Sequence, residues 1–482
     1  MTRRNYIVYS VIGFISFFQI NLQAQNLTAE KGSFGIDKIN RIIVWHQSNI
    51  DSVSALHDDI KSFRFKRKYK LADMAKSLSY AEKYTVTRKG IPYTLYISRL
   101  PLVQIDVDTT MNRNTKVLGR YRFYDKNRYV KSGVGIEYRG NLSLTYPKKT
   151  FDLEFWKDSI QNKSRDLQFK DLRDDDDWIL DGLYNEPLRI RSYIASNLWT
   201  AIHKPYYLAE DSEAKSGIDI VFVELFKNGQ YQGIYTLSES VDRKLLNLKK
   251  NKDQIVKGEL FKASSYEGAP GFKKAPEYQN LFPHWGGFEM VYPVLDYKSH
   301  WDDLYKLVNL VVNGSEEEFA EKIGEEMHLE NVVDYFLLVN LIRATDNLGK
   351  NYYLARYDED GPYFFIPWDL DGVMGIIQDG KRIATTDDIL SNGLFDRLLK
   401  VNPNGFRDKL KIRWSELRKH EFDQAQLLSS IDELYSRFQK ERIYEREYLV
   451  WSNERTIEDD YLYLQTWLKD RLIYLDTYFQ NL

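Results

Sequence analysis

An α+β fold is the class this sequence predicts, and three observations carry it. Short strand-like runs bounded by turn residues fill residues 100–240. Helical periodicity dominates from Phe395 to Leu482. Between them a strongly apolar helix, Asn331 to Ala344, runs straight into a short hairpin. With 482 residues the chain can bury a sizeable core in two or three units. The 68 basic and 70 acidic side chains leave a net charge of −2, so no global field favours nucleic acid. The absence of cysteine excludes disulfides, thiolate catalysis and zinc–thiolate sites.

Taken in order, residues 1–24 read as a secretory leader. Arg3 and Arg4 precede the apolar run Tyr6–Ile20, and the expected cut follows Ala24. That run is shorter than the ~20 residues of a spanning helix, so no stable membrane insertion is expected once the leader is cut. Residues 25–100 form an extension of unassigned role. Helical character is predicted over Leu56–Ser79, with the basic run Lys61–Lys70 as its solvated face, followed by a strand pair at Tyr84–Thr87 and Tyr93–Ile97.

Strands are predicted at Val103–Val107, Gly119–Tyr124, Gly133–Arg139 and Thr150–Trp156. In Phe151-Asp152-Leu153-Glu154-Phe155 apolar and acidic residues alternate, and the same parity carried backwards buries Lys149 and exposes Lys148. A lysine facing inward from a sheet needs an anionic partner. An acidic run, Asp171–Asp177, leads to Trp178. A helix is then expected from Asn185-Glu186-Pro187 to about Ile202, with Asn185 as its cap. Ile218–Phe226 and Tyr231–Leu237 flank Asn228-Gly229, a hairpin signal, with Glu239 just beyond. Residues 243–256 are lysine-rich, and 262–288 read as a long surface excursion. Near the end, helices are expected at Phe406–Lys419, Phe422–Leu449 and Asp459–Phe479, with Trp414, Trp451 and Trp467 as packing residues. The domains expected are thus 25–100, 101–400 and a helical part, 401–482.

The stretch Asp346 to Asp371 carries the chemistry. The turn Asp358-Glu359-Asp360-Gly361-Pro362 joins two strands, and a turn centred near 360 sets Asn351 opposite Asp369. Asp371 joins them if the chain stays extended for two more residues. An amide oxygen and carboxylates at one hairpin end suit magnesium, which completes its octahedron with water and phosphate oxygens. Asp346, Asn351 and Asp369 also follow the order and interval of the catalytic Asp, the Asn and the metal-binding Asp of protein kinases. The same residues also serve as helix-end turn formers and a sheet-edge carboxylate. Arg343-Ala344-Thr345-Asp346 stands where kinases carry His-Arg-Asp, and Asp369-Leu370-Asp371-Gly372 where they carry Asp-Phe-Gly.

Several segments together resemble the CotH kinase family. They are Tyr138-Arg139-Gly140-Asn141, Pro147-Lys148-Lys149-Thr150-Phe151, Leu188-Arg189-Ile190-Arg191-Ser192, Asn228-Gly229-Gln230-Tyr231-Gln232-Gly233 running on to Glu239 and Asp242, and Pro367-Trp368-Asp369-Leu370-Asp371. The resemblance covers roughly Leu100 onward. It implies a diverged protein-kinase-like fold, with a strand-rich N-lobe, a helical C-lobe and a C-terminal helical segment. It also implies use of ATP and Mg2+ to phosphorylate Ser/Thr hydroxyls of a protein substrate. In that scheme Lys149 or Lys148 holds the α- and β-phosphates, and Arg139, Gly140 and Asn141 lie in the loop over the nucleotide. Glu239 sits near the adenine, Asp346 accepts the hydroxyl proton, and Asn351 and Asp369 bind metal, with Asp371 beside them. Glu186 is a weaker partner for the lysine. The alternatives are a kinase-like surface or envelope binding protein without turnover and, third, a metal-dependent hydrolase.

Overall fold

Residues 25–98 build a seven-stranded sheet in which each short run pairs with its neighbour. Its strands are β1 (Gln25–Thr28), β2 (Phe34–Asp37), β3 (Ile42–His46), β4 (Ile60–Arg64), β5 (Lys68–Ala75), β6 (Lys83–Arg88) and β7 (Ile91–Ser98), in the order β1-β4-β5-β6-β7-β3-β2. The computed structural model describes residues 25–51, 60–126, 128–157, 163–252, 255–295, 300–452 and 456–482. The leader read over 1–24 lies outside the described residues.

The helix expected over Leu56–Ser79 is overturned from residue 60 onward, where β4 and β5 form a hairpin; 52–59 lie outside the described residues. The reason is a period of two hidden in the basic run. Phe63, Phe65 and Tyr69 are buried while Arg64, Lys66, Lys68 and Lys70 are exposed, and Phe63 pairs with Tyr69 across the ladder. The basic run remains a solvated face, on a strand instead of a helix. The pair β6–β7 occupies the segments read as strands.

Residues 102–239 close into a barrel. Its strands are β8 (Leu102–Val107), β9 (Val117–Asp125), β10 (Arg128–Arg139), β11 (Thr150–Trp156), β14 (Asp177–Asp181), β15 (Ile220–Lys227) and β16 (Gln230–Glu239); β12 (Leu167–Gln168) and β13 (Asp174–Asp175) form a small separate ladder. Inward-facing residues such as Phe151, Leu153, Phe155, Leu180 and Tyr235 fill its interior. Closure depends on β15 pairing parallel with β8. Asn228 helps to set that register: with Gly229 it takes positive φ at the hairpin turn, and its amide brackets Val107 by bonds of 2.8 and 3.0 Å.

The parity argument for Lys149 is corrected here. β11 begins at Thr150, so its alternation does not extend to the two lysines. Lys148 is the buried one, its Nζ donating to the Ile234 carbonyl at 2.6 Å and to Glu447 Oε1 at 2.6 Å. Lys149 is half-exposed and donates to the Leu144 carbonyl at 2.6 Å. Burial pulls the Lys148 ammonium down to about 8, while Glu447 opposes that fall.

The expected helix start is corrected as well. α1 spans Arg191–Ile202, and Leu183 and Arg189 hold left-handed φ in the turns before it. Asn185 caps nothing, because its amide is engaged with Asp371 and the Gln378 carbonyl.

Beyond the barrel come the single turn α2 (Arg243–Leu246) and β17 (Glu259–Ala263), β18 (His284–Trp285), β19 (Phe288–Tyr292), β20 (Tyr352–Arg356) and β21 (Tyr363–Pro367). These five strands form a sheet ordered β18-β19-β17-β20-β21, so the segment read as surface excursion contributes strands to it. Helices α3 (Asp302–Asn313), α4 (Glu316–Glu326), α5 (Leu329–Ile342), α6 (Gly393–Val401), α7 (Phe406–Leu417), α8 (Gln424–Lys440), α9 (Ile443–Tyr448) and α10 (Ile457–Gln480) share one core with that sheet. The helix read over Phe422–Leu449 is broken into α8 and α9 at Arg442, which is left-handed. Its Nε reaches the Ala81 carbonyl of the N-terminal sheet. Trp414 and Trp467 are buried in this core, as expected of packing residues.

Truncating Lys148 leaves Glu447 short of a partner in a dry site. Lys148→Ala is expected to lower unfolding free energy by about 3–5 kcal/mol, and Lys149→Ala to change it by less than about 0.5 kcal/mol, as measured by urea titration.

Candidate functional site

The site is built where α5 gives way to the hairpin. Arg343 ends the helix in a left-handed conformation, with its guanidinium held by Asp388 at 2.7 Å, and a 3-10 turn, Thr345–Leu348, presents Asp346. The ladder pairs Tyr352 with Pro367, so Asn351 stands opposite Trp368, whose N–H donates to the Asn351 carbonyl at 3.0 Å. The expected pairing of Asn351 with Asp369 is therefore displaced by one residue. Both residues nevertheless turn toward one space, because Asn351 and Asp369 adopt φ of +57° and +56°. Asn and Asp enter this region more readily than other non-glycine residues, and such positions cluster at functional sites. Asn347 holds the two turns together through its amide, which donates to the carbonyls of Trp368 and Asn351.

These residues face the end of the barrel across a cavity of about 490 Å³. Arg139, Gly140, Asn141, Asp346, Asn351, Asp369 and Asp371 all line it. Gly140 is required where it stands: φ is +97° and a Cβ would lie 1.9 Å from Ser143 Oγ. Lys148, Lys149 and Glu239 are absent from the lining. The carboxylate of Glu239 is consumed by the Arg173 and Asp219 N–H groups and by Lys215 Nζ at 2.6 Å. Glu186 pairs with Arg191 at 2.7 Å and is not the partner of the buried lysine; Glu447 is.

The electrostatics of the cavity are uneven. Asp371 is held well above the usual carboxylate range by burial first, then by the charges of Asp369 and Asp181, despite the 2.9 Å hydrogen bond from Asn185. Burial and Asp181 likewise raise Asp369, against the pull of Arg139 and Lys262. Asp181 accepts from Thr150 Oγ1 at 2.9 Å and from the Leu183 N–H. Asp346 is set apart from this group. Its Oδ1 accepts from Tyr266 at 2.7 Å, and its Oδ2 meets Lys350 Nζ at 2.8 Å and the Asn351 amide at 3.4 Å. Clustered carboxylates that raise one another and open onto one cleft, Asp369 exposed in it and Asp371 and Asp181 half-buried, are the donor set a hard divalent cation neutralises, and the residues present fit that role.

Sequence reasoning passed over Asp181, Lys262 and Lys350, which line the same cavity. Asp181 ends the apolar run Trp178-Ile179-Leu180, which follows the acidic run Asp171–Asp177 and forms β14. Lys262 interrupts Leu260-Phe261-Ala263, a signal hidden by reading that segment as loop.

A barrel end facing a hairpin across a cluster of acids defines the class: an α+β cleft protein with an aspartate held by Tyr266 and Lys350 beside that cluster. The profile of the CotH kinase protein family matches residues 136–475, and the chain belongs to that family. The match begins within β10, later than the resemblance read from Leu100, and every predicted site residue lies inside it. The chain is also similar to inner spore coat protein H of Bacillus subtilis (strain 168), with 21% identity over 251 residues, 52% of this chain. It spans 61% of that relative's length.

Mutual repulsion among the acids is a cost in stability. Asp371→Asn keeps the acceptor for Asn185 and removes one charge, so the variant is expected to melt higher than the parent in chelator, by on the order of 1 kcal/mol in stability, as read by calorimetry.

Proposed function

We propose that this chain is an exported protein kinase that transfers the γ-phosphoryl group of ATP to Ser/Thr hydroxyls of a protein, with Mg2+, on a diverged kinase-like fold. The observation that carries the reading is the meeting of Asp346, Asn351, Asp369 and Asp371 with the Arg139-Gly140-Asn141 loop around one cavity. Asp369, Asp371, Asp181 and Asn351 are the residues that would hold the metal, and bound there it neutralises charge on the phosphates.

In this reading Asp346 orients the acceptor hydroxyl and takes its proton as the oxygen attacks the γ-phosphorus, with ADP leaving. Its oxygens are held in place by Tyr266 and Lys350, so the carboxylate is positioned before the acceptor arrives. Lys350 also offsets the charge of Asp346 near the developing phosphate. Gly140 lets the loop backbone approach the nucleotide closely. Export is supported by the Arg3-Arg4 and apolar Tyr6–Ile20 pattern and by the similarity to a spore coat protein. No helix among the described residues is long and apolar enough to cross a membrane.

One observation favours a second reading, a surface binding protein without turnover: both oxygens of Asp346 are already engaged. The two separate in one experiment, incubation of the purified chain and protein acceptors with γ-labelled ATP and Mg2+, followed by gel and mass spectrometry. The kinase reading expects labelled Ser or Thr, with Asp346→Asn losing about 10²–10⁴-fold in rate and Asp369→Ala abolishing transfer, both variants still folded. Absence of label, with no thermal shift at millimolar Mg–ATP, would favour the binding reading and sink the kinase one.

A further inference from the structure

We infer that Lys262 is the cation that anchors the phosphate chain of a bound nucleotide, in the place that the lysine pair at 148–149 fills in the scheme read from sequence. The inference rests on the nucleotide reading above and assigns a residue to it.

Neither lysine of the pair is available. Lys148 Nζ is fully enclosed and donates to Ile234 and Glu447, both at 2.6 Å. Lys149 Nζ is tied to the Leu144 carbonyl at 2.6 Å, and neither residue borders the cavity.

Lys262 is placed differently. It lies on β17, the central strand of the five-stranded sheet, where a charged side chain is unexpected. Its neighbours Phe261 and Ala263 are buried in the helical core, so alternation sends Lys262 to the opposite face, where it borders the cavity. It pairs across the ladder with Tyr353, whose ring packs edge-on against Trp368 at 5.7 Å. Arg139 reaches the same indole from the barrel side, its guanidinium 5.3 Å from the ring centroid, while one arm bonds Asp152 at 3.2 Å. Arg139 thus meets Trp368, the residue immediately before Asp369, from the barrel side, and Lys262 borders the same cavity from the sheet.

Among the described residues the Lys262 ammonium makes no hydrogen bond and no ion pair within 4 Å, although the charges of Glu289, its cross-strand neighbour on β19, and of Asp369 act on it. A half-buried ammonium in that condition is short of an anion, and the neighbouring carboxylates are short of a cation. A metal-bound di- or triphosphate supplies both: its oxygens accept from Lys262 as a point charge, and its metal meets the acids. Burial and Arg139 lower the lysine's affinity for its proton, which an incoming phosphate would reverse.

Isothermal titration of the full chain tests this with Mg–ATP, Mg–tripolyphosphate and adenosine. Lys262→Met is expected to weaken ATP and tripolyphosphate binding at least ~10-fold, to leave adenosine binding and the circular dichroism spectrum unchanged, and to be partly rescued by Lys262→Arg. Lys149→Met is expected to bind all three like the parent. Parental affinity for Mg–ATP in Lys262→Met, or a loss confined to Lys149→Met, overturns the assignment and leaves the nucleotide reading standing. If the parent binds neither Mg–ATP nor tripolyphosphate, the nucleotide reading falls and the assignment with it.

Discussion

The carboxylate of Glu447 ties the two halves of this molecule together, and the placement of the cavity follows from it. Its Oε1 accepts from Lys148 at 2.6 Å and from Arg189 at 3.2 Å, and its Oε2 from the Ile234 N–H at 2.8 Å. The short helix α9 thereby delivers one anion to β16, to the turn before β11 and to the turn before α1. Gly233 exists to admit it, since a Cβ there would lie 1.9 Å from Oε2. A buried charge with this many donors is tolerated because each is satisfied; remove one and the rest are stranded. Arg189 passes the constraint onward by donating to the carbonyls of Leu183 and Glu186. The turn so held contains Asn185, whose amide fixes Asp371. Glu447 and an acid of the cavity are thus linked through hydrogen bonds on either side of the backbone turn 183–186.

A neighbouring network does the same for the N-terminal sheet. Arg446 and Glu224 are both fully enclosed, and Glu224 also accepts from Ser98 at 2.7 Å and from Tyr231 at 2.5 Å. Sheet, barrel and helix meet in that one carboxylate, held below its ordinary range by Arg446 and these hydrogen bonds against the cost of burial. Residues 25–98, which lie outside the family match, are thus joined to the rest by charge as well as by the apolar contact of Ile42, Val44 and Tyr96 with Leu102 and Phe226. The cavity shows the opposite balance. Left-handed Asn351 and Asp369, mutually repelling acids and a lysine ammonium that has no hydrogen-bond or ion-pair partner among the described residues are each unfavourable, and the satisfied networks behind them hold them in place.

Much of this was legible in local pattern. All the barrel strands except β14, the Asn228-Gly229 turn and the apolar α5 follow from alternation, turn chemistry and period, which act over a few residues. The hairpin from Asn351 to Asp369 was readable to within one residue of register, and seven of the residues proposed for the site do line one cavity. Errors arose where a distant partner outweighed a local preference. Asn185 is a good cap by composition, yet Asp371 takes its amide. Lys149 continues the parity of β11, yet the strand starts one residue later and Glu447 selects Lys148. The basic run around Arg64 looks helical by propensity, yet Phe63, Phe65 and Tyr69 seek one face of a sheet.

The sequence by itself determined the α+β class, the family and the grouping of Asp346, Asp369 and Asp371, because motif order and short-range periodicity are properties of the chain alone. Only the tertiary structure decided that the strands close into a barrel, that Asp181 joins Asp369 and Asp371, and which lysines face the cavity. Those outcomes depend on contacts between residues far apart in the chain, such as Lys148 with Glu447 and β8 with β15, and no local preference encodes which distant partner a buried charge will find.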